Sequence, residues 1–339
     1  MKRSGALRLA FFLALAACAA AQAEETPPVQ NRGEAPAESR KPMSPATIGA
    51  PPEEKPGGSC TLGEVAVLEM RTELNGLVTV PVTIDGVEGR WMVDTGNITS
   101  MISDTFATRE GLRRLPASGG VFLGGIAVNE VVIAHTVDFA GLNIYKPVLA
   151  VAPETIVGND TLGILGPDIL RRFDVDFDFA AGRMHLFSPD HCFGKVVYWT
   201  NTGYARIPMS LDREGHPTAT IMLDGKELTA IIDTGSQNSV MPLDLAKRLF
   251  HIGAHDPALK SLGATIVNGS KRIGSYHYPF KLLTLEGVQV ANPDITIVEE
   301  TGLGDQAPEL VLGIETLRQL HLYIAYGESA LYVTPAEAR

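Results

Sequence analysis

Two stretches of this chain end in the same way. Trp91-Met92-Val93 runs into Asp94-Thr95-Gly96-Asn97, and Ala230-Ile231-Ile232 runs into Asp233-Thr234-Gly235-Ser236. Each is an apolar run that stops on an acid, a hydroxyl and a glycine. An apolar strand ends on a carboxylate only where something offsets the cost of taking that charge out of water. Two such endings point to two carboxylates brought to a common place. A fold that does this must set two strand ends face to face, which excludes most arrangements of short strands.

The two endings belong to a longer repeat. Asp85-Gly86 lies nine residues before Asp94, and Asp224-Gly225 lies nine before Asp233. Asp-Gly between apolar runs is a strong signal for a two-residue hairpin. The predicted strands are 80–84 with 89–93 and 220–223 with 228–232. Later in each copy comes a short apolar strand with a glycine, Gly163-Ile164-Leu165-Gly166 and Leu310-Val311-Leu312-Gly313, each leading into one short helix. A terminal hairpin is expected after each, at 175–179 with 184–187 and at 322–326 with 331–333. The acids lie 139 residues apart (94 to 233) and the later glycines 147 (166 to 313). The second copy is therefore expected to hold about eight extra residues, in the region where a flap would lie. Dense short strands with few long helices predict a mostly β fold.

The chain has 339 residues, enough for two domains, and the repeat sets their expected limits at 63–192 and 193–339. Hydrophobic residues make up 45% and charged residues 20%, which suits a folded core. The net charge of −11, with no basic stripe, excludes nucleic acid as a partner.

Residues 1–23 have the layout of a secretory signal: Lys2 and Arg3, then an apolar run interrupted by Arg8 and Gln22. Two cleavage readings stand. Leu15-Ala16-Ala17-Cys18 resembles a bacterial lipobox, which would lipidate Cys18 and anchor the protein to a membrane; Ala21-Gln22-Ala23 is an ordinary cleavage site that would leave a soluble form. Both predict export to the periplasm or cell envelope, with the outer membrane as the anchored location. Residues 24–62 are rich in Pro, Glu, Ala and Ser and are expected to form a disordered linker, spanning roughly 35 Å as a flexible coil. With Cys18 removed or acylated, Cys60 and Cys192 remain. An even pair in an exported protein reads as a disulfide, here tying the two ends of the first lobe; two unpaired thiols are the alternative.

The repeated apolar-apolar-Asp-Thr-Gly and apolar-apolar-Gly motifs resemble those of the retropepsin and pepsin-like aspartic peptidases, over roughly residues 75 to 335. The nearest likeness is to retropepsin-type lobes of bacterial envelope proteins, duplicated in one chain. The resemblance implies two pseudo-symmetric β-barrel lobes with a cleft between them. It implies that Asp94 and Asp233 form a shared catalytic pair, that Thr95 and Thr234 hydrogen-bond across the lobes, and that Gly96 and Gly235 let backbone approach the acids. The next position is usually Ser or Thr, whose hydroxyl bonds a carboxylate oxygen; Ser236 fits and Asn97, a bulkier amide, departs. Two acids in contact cannot both ionise cheaply, so they share a proton and titrate as a unit.

The implied activity is endopeptidic hydrolysis of extended polypeptide by an activated water, with no acyl-enzyme and no metal or cofactor. The implied assembly is a monomer of two lobes, a homodimer being the less economical reading. Substrate would lie under flaps. The candidate tips are Ser118-Gly119-Gly120 through Gly124-Gly125, and Val267-Asn268-Gly269-Ser270; ordinary surface hairpins are the alternative. A second functional reading is an inactive envelope protein that binds peptide, its pair disabled by Asn97. Other signals carry less. His251 and His255 have metal-like spacing, but Gly253 and Pro257 break any helix there. Asp174, Asp176 and Asp178 alternate with apolar residues and read as a strand with an acidic outer face. The glycines at 119–125 lack a following Lys-Ser/Thr for phosphate, and nucleophilic catalysis lacks both a Gly-x-Ser-x-Gly elbow and a Cys-His pairing.

Overall fold

In the computed structural model, which describes residues 61–123, 126–157, 161–253, 255–267, 271–299 and 308–336, both Asp-Gly pairs turn the chain back on itself. Asp85 and Gly86 have φ of 49° and 83°, and Asp224 and Gly225 have 43° and 78°. Two consecutive left-handed residues are what a tight hairpin matching the strand twist requires. Cys18, Cys60, Asn268 and Gly269, with the signal segment and nearly all of the predicted linker, lie outside the described residues.

The first half runs β1 (Glu64–Glu69), β2 (Arg71–Thr72), β3 (Val78–Ile84), β4 (Val87–Val93), β5 (Met101–Ser103), α1 (Asp104–Arg109), β6 (Arg114–Leu123), β7 (Ile126–Ile133), β8 (Thr136–Phe139), β9 (Leu142–Tyr145), β10 (Val148–Ala152), α2 (Glu154–Val157), β11 (Gly163–Leu165), α3 (Pro167–Leu170), β12 (Asp174–Asp178) and β13 (Arg183–Phe187). The second half runs β14 (Ala205–Leu211), β15 (Pro217–Leu223), β16 (Lys226–Ile232), β17 (Ser239–Pro242), α4 (Leu243–Phe250), β18 (Lys260–Val267), β19 (Lys271–His277), β20 (Leu282–Leu285), β21 (Val288–Ala291), β22 (Ile295–Val298), β23 (Leu310–Leu312), α5 (Ile314–Leu317), β24 (Leu320–Ala325) and β25 (Ala330–Pro335).

Strand order gives the same answer in both halves. The first sheet reads β6-β7-β10-β5-β11-β4-β3-β8-β9, and the second reads β18-β19-β22-β17-β23-β16-β15, with β20 on β15 and β21 on β20. In each, the strand before the later glycine lies parallel to the strand that ends on the acid: β11 on β4 and β23 on β16. The molecule is thus mostly β, with two β-barrel-like lobes built on one plan.

A further set of strands, β1-β13-β12-β24-β25-β14, joins the halves. Its centre is the antiparallel pair β12 and β24, with Val175 opposite Ile324, Asp176 opposite Tyr323 and Phe177 opposite Leu322. Exchanging the two halves maps this register onto itself, as at an isologous interface between subunits. Here the expectation of an acidic outer face fails. Asp174 and Asp176 are fully buried, as are Val175 and Phe177 on the other face. The chain after β13 folds back over the sheet, and Val196, Val197 and Trp199 pack on Phe187, Tyr323 and Tyr332. The buried acids are met by side chains from this covering: His191 Nε2 is 2.5 Å from Asp174 Oδ2, and the Tyr198 hydroxyl donates to Asp176 Oδ2 at 2.5 Å. His321 Nε2 also lies 2.7 Å from Asp176 Oδ1, a close contact without hydrogen-bond alignment.

The extra residues of the second copy are not in its flap hairpin. α1 ends at Arg109 and β6 starts at Arg114, whereas α4 ends at Phe250 and β18 starts only at Lys260. The added length is in α4 and in the connection after it. His251 closes α4 in the left-handed conformation, φ 59°, and Gly253 and Pro257 keep the following segment out of regular structure. The hairpin strands themselves are longer in the first lobe, 10 and 8 residues against 8 and 7. Among the described residues no helix is long and apolar enough to cross a membrane.

Candidate active site

Asp94 and Asp233 follow directly on the last residues of β4 and β16. Their backbone N–H groups donate to Leu165 O and Leu312 O, each at 3.0 Å, so the parallel neighbour strand holds each acid at its strand end. The loops then lock to each other. Thr95 Oγ1 donates to Ile232 O at 2.6 Å and Thr234 Oγ1 donates to Val93 O at 2.9 Å. In return Thr234 N donates to Thr95 Oγ1, and Thr95 N to Thr234 Oγ1, both at 3.1 Å. These four bonds are buried and join residues 137 to 141 apart in the chain.

The glycines show how close the acids come. A Cβ on Gly96 would stand 2.2 Å from the Asp233 carboxyl carbon, and one on Gly235 would stand 2.1 Å from that of Asp94. Any side chain there would displace the opposite acid. Each carboxylate is also held from its own loop, Asp94 Oδ1 by Gly96 N at 3.0 Å and Asp233 Oδ1 by Gly235 N at 2.8 Å and Ser236 N at 3.1 Å. Both acids are 4% exposed.

The two environments differ. Burial pushes the Asp94 carboxyl well above the usual carboxylate range, and the charge and hydrogen bond of Asp233 push it further. Burial also raises Asp233, but the Gly235 N–H, the charge of His216 and the hydrogen bond from Asp94 hold it back. Both carboxyls are therefore pushed up, and the pair holds one proton between its members and titrates as a unit.

The residues after the glycines do not play the expected part. Ser236 Oγ turns away from the acid and donates to Asn238 O at 2.8 Å; only its backbone N–H reaches Asp233. Asn97 Oδ1 accepts from Ile98 N at 2.8 Å, and its buried Nδ2 has no partner among the described residues.

The pattern of the family profile described as Aspartyl protease matches this chain twice, at residues 80–169 and 219–316. The chain belongs to the aspartyl protease family. No curated protein matches it well enough to count as a relative.

In this chain the later glycines serve close packing. A Cβ on Gly166 would meet the Thr99 carbonyl carbon at 2.5 Å, and one on Gly313 would meet Asn238 O at 2.3 Å. Two serines missed in the sequence complete the arrangement. Ser100 Oγ accepts from Gly166 N at 2.9 Å and donates to Asp168 Oδ1 at 2.7 Å. Ser239 Oγ accepts from Gly313 N at 3.1 Å and lies 2.7 Å from Thr316 Oγ1. Each follows its Asp by six residues, so aligning the two repeats would have exposed them. Two arginines were also missed. Arg318 Nη2 donates to Gly76 O at 2.5 Å, and the Arg171 guanidinium lies against Gly215, so each lobe sends one arginine onto the turn that precedes the other's hairpin.

The predicted flap residues separate. Gly119 and Gly120 lie within β6, at the register shift between Pro116 and Val121, and not at a tip; β6 and β7 close at Leu123 opposite Ile126. In the second lobe Val267 pairs with Lys271, and the predicted tip residues Asn268 and Gly269 lie outside the described residues. For metal, Asp212, Glu214 and His216 bring ligand atoms within 4.8 Å of one another, but His216 Nδ1 and Asp212 Oδ2 are already paired at 2.7 Å.

Proposed function

We propose that this protein is an endopeptidase that hydrolyses extended polypeptides with Asp94 and Asp233 as its catalytic pair. The observation that carries this reading is the reciprocal threonine lock, which brings the two carboxyls into contact in a nearly dry setting. A water between them loses a proton to Asp233 as its oxygen attacks the scissile carbonyl, and Asp94 gives its proton to the carbonyl oxygen. The tetrahedral diol then collapses. Its proton passes through the pair to the leaving nitrogen, the C–N bond breaks, and an acid and an amine are released. β6–β7 and β18–β19 serve as flaps whose free backbone groups hold the substrate strand.

The test is cleavage of a peptide library by wild type, Asp94→Asn and Asp233→Asn. The expected result is turnover by wild type and a loss of at least ~100-fold in each variant. Equal cleavage by all three rejects the peptidase. The unpartnered Asn97 amide favours a second reading, a non-catalytic peptide binder; tight peptide binding by wild type without turnover would establish it.

The remaining assignments rest on the sequence and on chain placement. The catalytic pair comes from one chain, which supports a monomer. Gly63 O accepts from Ser188 N at 2.9 Å, bringing together the segments that carry Cys60 and Cys192, and this supports the disulfide. Export and lipidation at Cys18 place the protein at the cell envelope, and incorporation of labelled fatty acid into wild type but not Cys18→Ala tests the anchor.

A further inference from the structure

The two lobes follow one plan, and one difference lies at the turn before each first hairpin. In lobe one Glu73 N donates to Leu77 O at 2.9 Å and Gly76 N donates to Glu73 O at 2.8 Å. In lobe two Asp212 N donates to His216 O and Gly215 N to Asp212 O, both at 3.1 Å. The turns are the same and the closing residue is not: lobe one has Leu77, 1% exposed, and lobe two has His216, 3% exposed. An imidazole buried at a position that its twin fills with leucine needs a reason, because it carries polar atoms that the site must satisfy.

Only part of that need is met. Asp212 Oδ2 lies 2.7 Å from His216 Nδ1, and Asp212 Oδ1 accepts from His216 N at 2.9 Å. The corresponding acid in lobe one turns the other way, Glu73 Oε1 accepting from Thr79 Oγ1 at 2.6 Å. His216 Nε2 is buried and has no partner among the described residues. The ladder between β15 and β16 pairs Pro217's neighbour Thr218 with Ile231. Continued in the same register, it sets His216 across from Asp233. Charged groups face this imidazole from each element around it: Asp212 and Glu214 from its own turn, Asp233 from the end of β16, and Arg171 of the other lobe, packed on Gly215.

We propose that His216, oriented by Asp212, is a positioning residue that makes the two acids unequal, steering the shared proton onto Asp94 and leaving Asp233 as the base. A pair of identical carboxyls on a two-fold axis has no preference between them. An imidazolium beside one of them stabilises that one's anion. The strand registers, each continued by two pairs, set His216 beside Asp233 and the apolar Leu77 beside Asp94. The inference rests on the peptidase reading for its consequence in turnover, but not for the ionisation itself.

The experiment compares wild type with His216→Leu, which restores the lobe-one residue, and His216→Gln, which keeps a polar group of similar reach without the charge. The kcat/KM of each is measured against pH on a cleaved peptide, and the carboxyl carbons of Asp94 and Asp233 are titrated by NMR in 13C-labelled protein. In both variants the acid limb of the profile is expected to move up by about one pH unit, and kcat to fall about tenfold with KM little changed. The carboxyl titration of Asp233 should move up with it. Should His216→Leu not fold, His216→Gln decides. A Gln variant whose profile and carboxyl titrations overlie those of wild type would reduce His216 to a packing role and overturn the proposal. A wild type that cleaves no peptide would defeat the peptidase reading, while the carboxyl titrations would still decide the part played by His216.

Discussion

Each residue of the two Asp-Thr-Gly loops answers a separate physical demand. Thr95 and Thr234 each give a hydroxyl to a carbonyl of the opposite lobe and accept from a backbone N–H there. Thr234→Ala would strand a buried carbonyl and a buried N–H, at a cost of ~2–4 kcal/mol. The expected outcome is a large drop in melting temperature with loss of turnover, while Thr234→Ser keeps both; equal melting of Ala and wild type would show the lock to be energetically idle. Asn97 is the opposite case, a buried amide with one hydrogen-bonding group unpaired. Asn97→Ser removes that group at the position where the other lobe has Ser236. It is expected to stabilise the protein by about 1 kcal/mol, read as a raised urea midpoint with unchanged slope.

At the scale of elements, β12 does what its sequence conceals. Its edges are paired by β13 and β24 and the chain after β13 covers the face that carries its acids, so these must find partners inside. Burial raises the Asp174 carboxyl above its ordinary value against the opposing hydrogen bond from His191. For His191, burial acts to lower its affinity for a proton, but the hydrogen bond and charge of Asp174 outweigh it and the net direction is up. The folded state therefore binds protons more tightly than the unfolded chain at both groups. Stability from His191 is fully present below its ordinary pKa near 6.5 and is lost as pH rises through its raised value; Asp174 acts in the same sense from about pH 4 upward. The protein should melt at a higher temperature at about pH 5.5 than at about pH 8, and His191→Gln should narrow the difference. A calorimetric difference of the same size in wild type and variant would mean that this group does not carry it.

The whole molecule unites two lobes through one set of hydrogen-bonded strands. Because β12 pairs directly with β24, and Arg318 and Arg171 reach across to the opposite turns, neither lobe can unfold without exposing the face of the other. Calorimetry should give one unfolding transition, with calorimetric and van't Hoff enthalpies in agreement. Arg318→Ala removes a charged donor to Gly76 O and is expected to lower stability by ~1.5–3 kcal/mol without splitting that transition. Two separate transitions would indicate lobes that fold independently.

Much of this was legible in the chain itself. Asp85-Gly86 and Asp224-Gly225 announce their hairpins because few residue pairs accept two left-handed conformations in a row. The Asp-Thr-Gly and later glycine motifs mark where backbones approach too closely for a side chain. Those are local demands, met by one residue's conformational range or the absence of one atom, so they leave a trace in the sequence at that position. Tertiary structure alone decided the rest: that Asp174 and Asp176 face inward, and that His216 stands on one side of the pair. Each depends on what a distant segment places nearby. Burial and charge are properties of a neighbourhood, and no residue carries its neighbourhood in its own name.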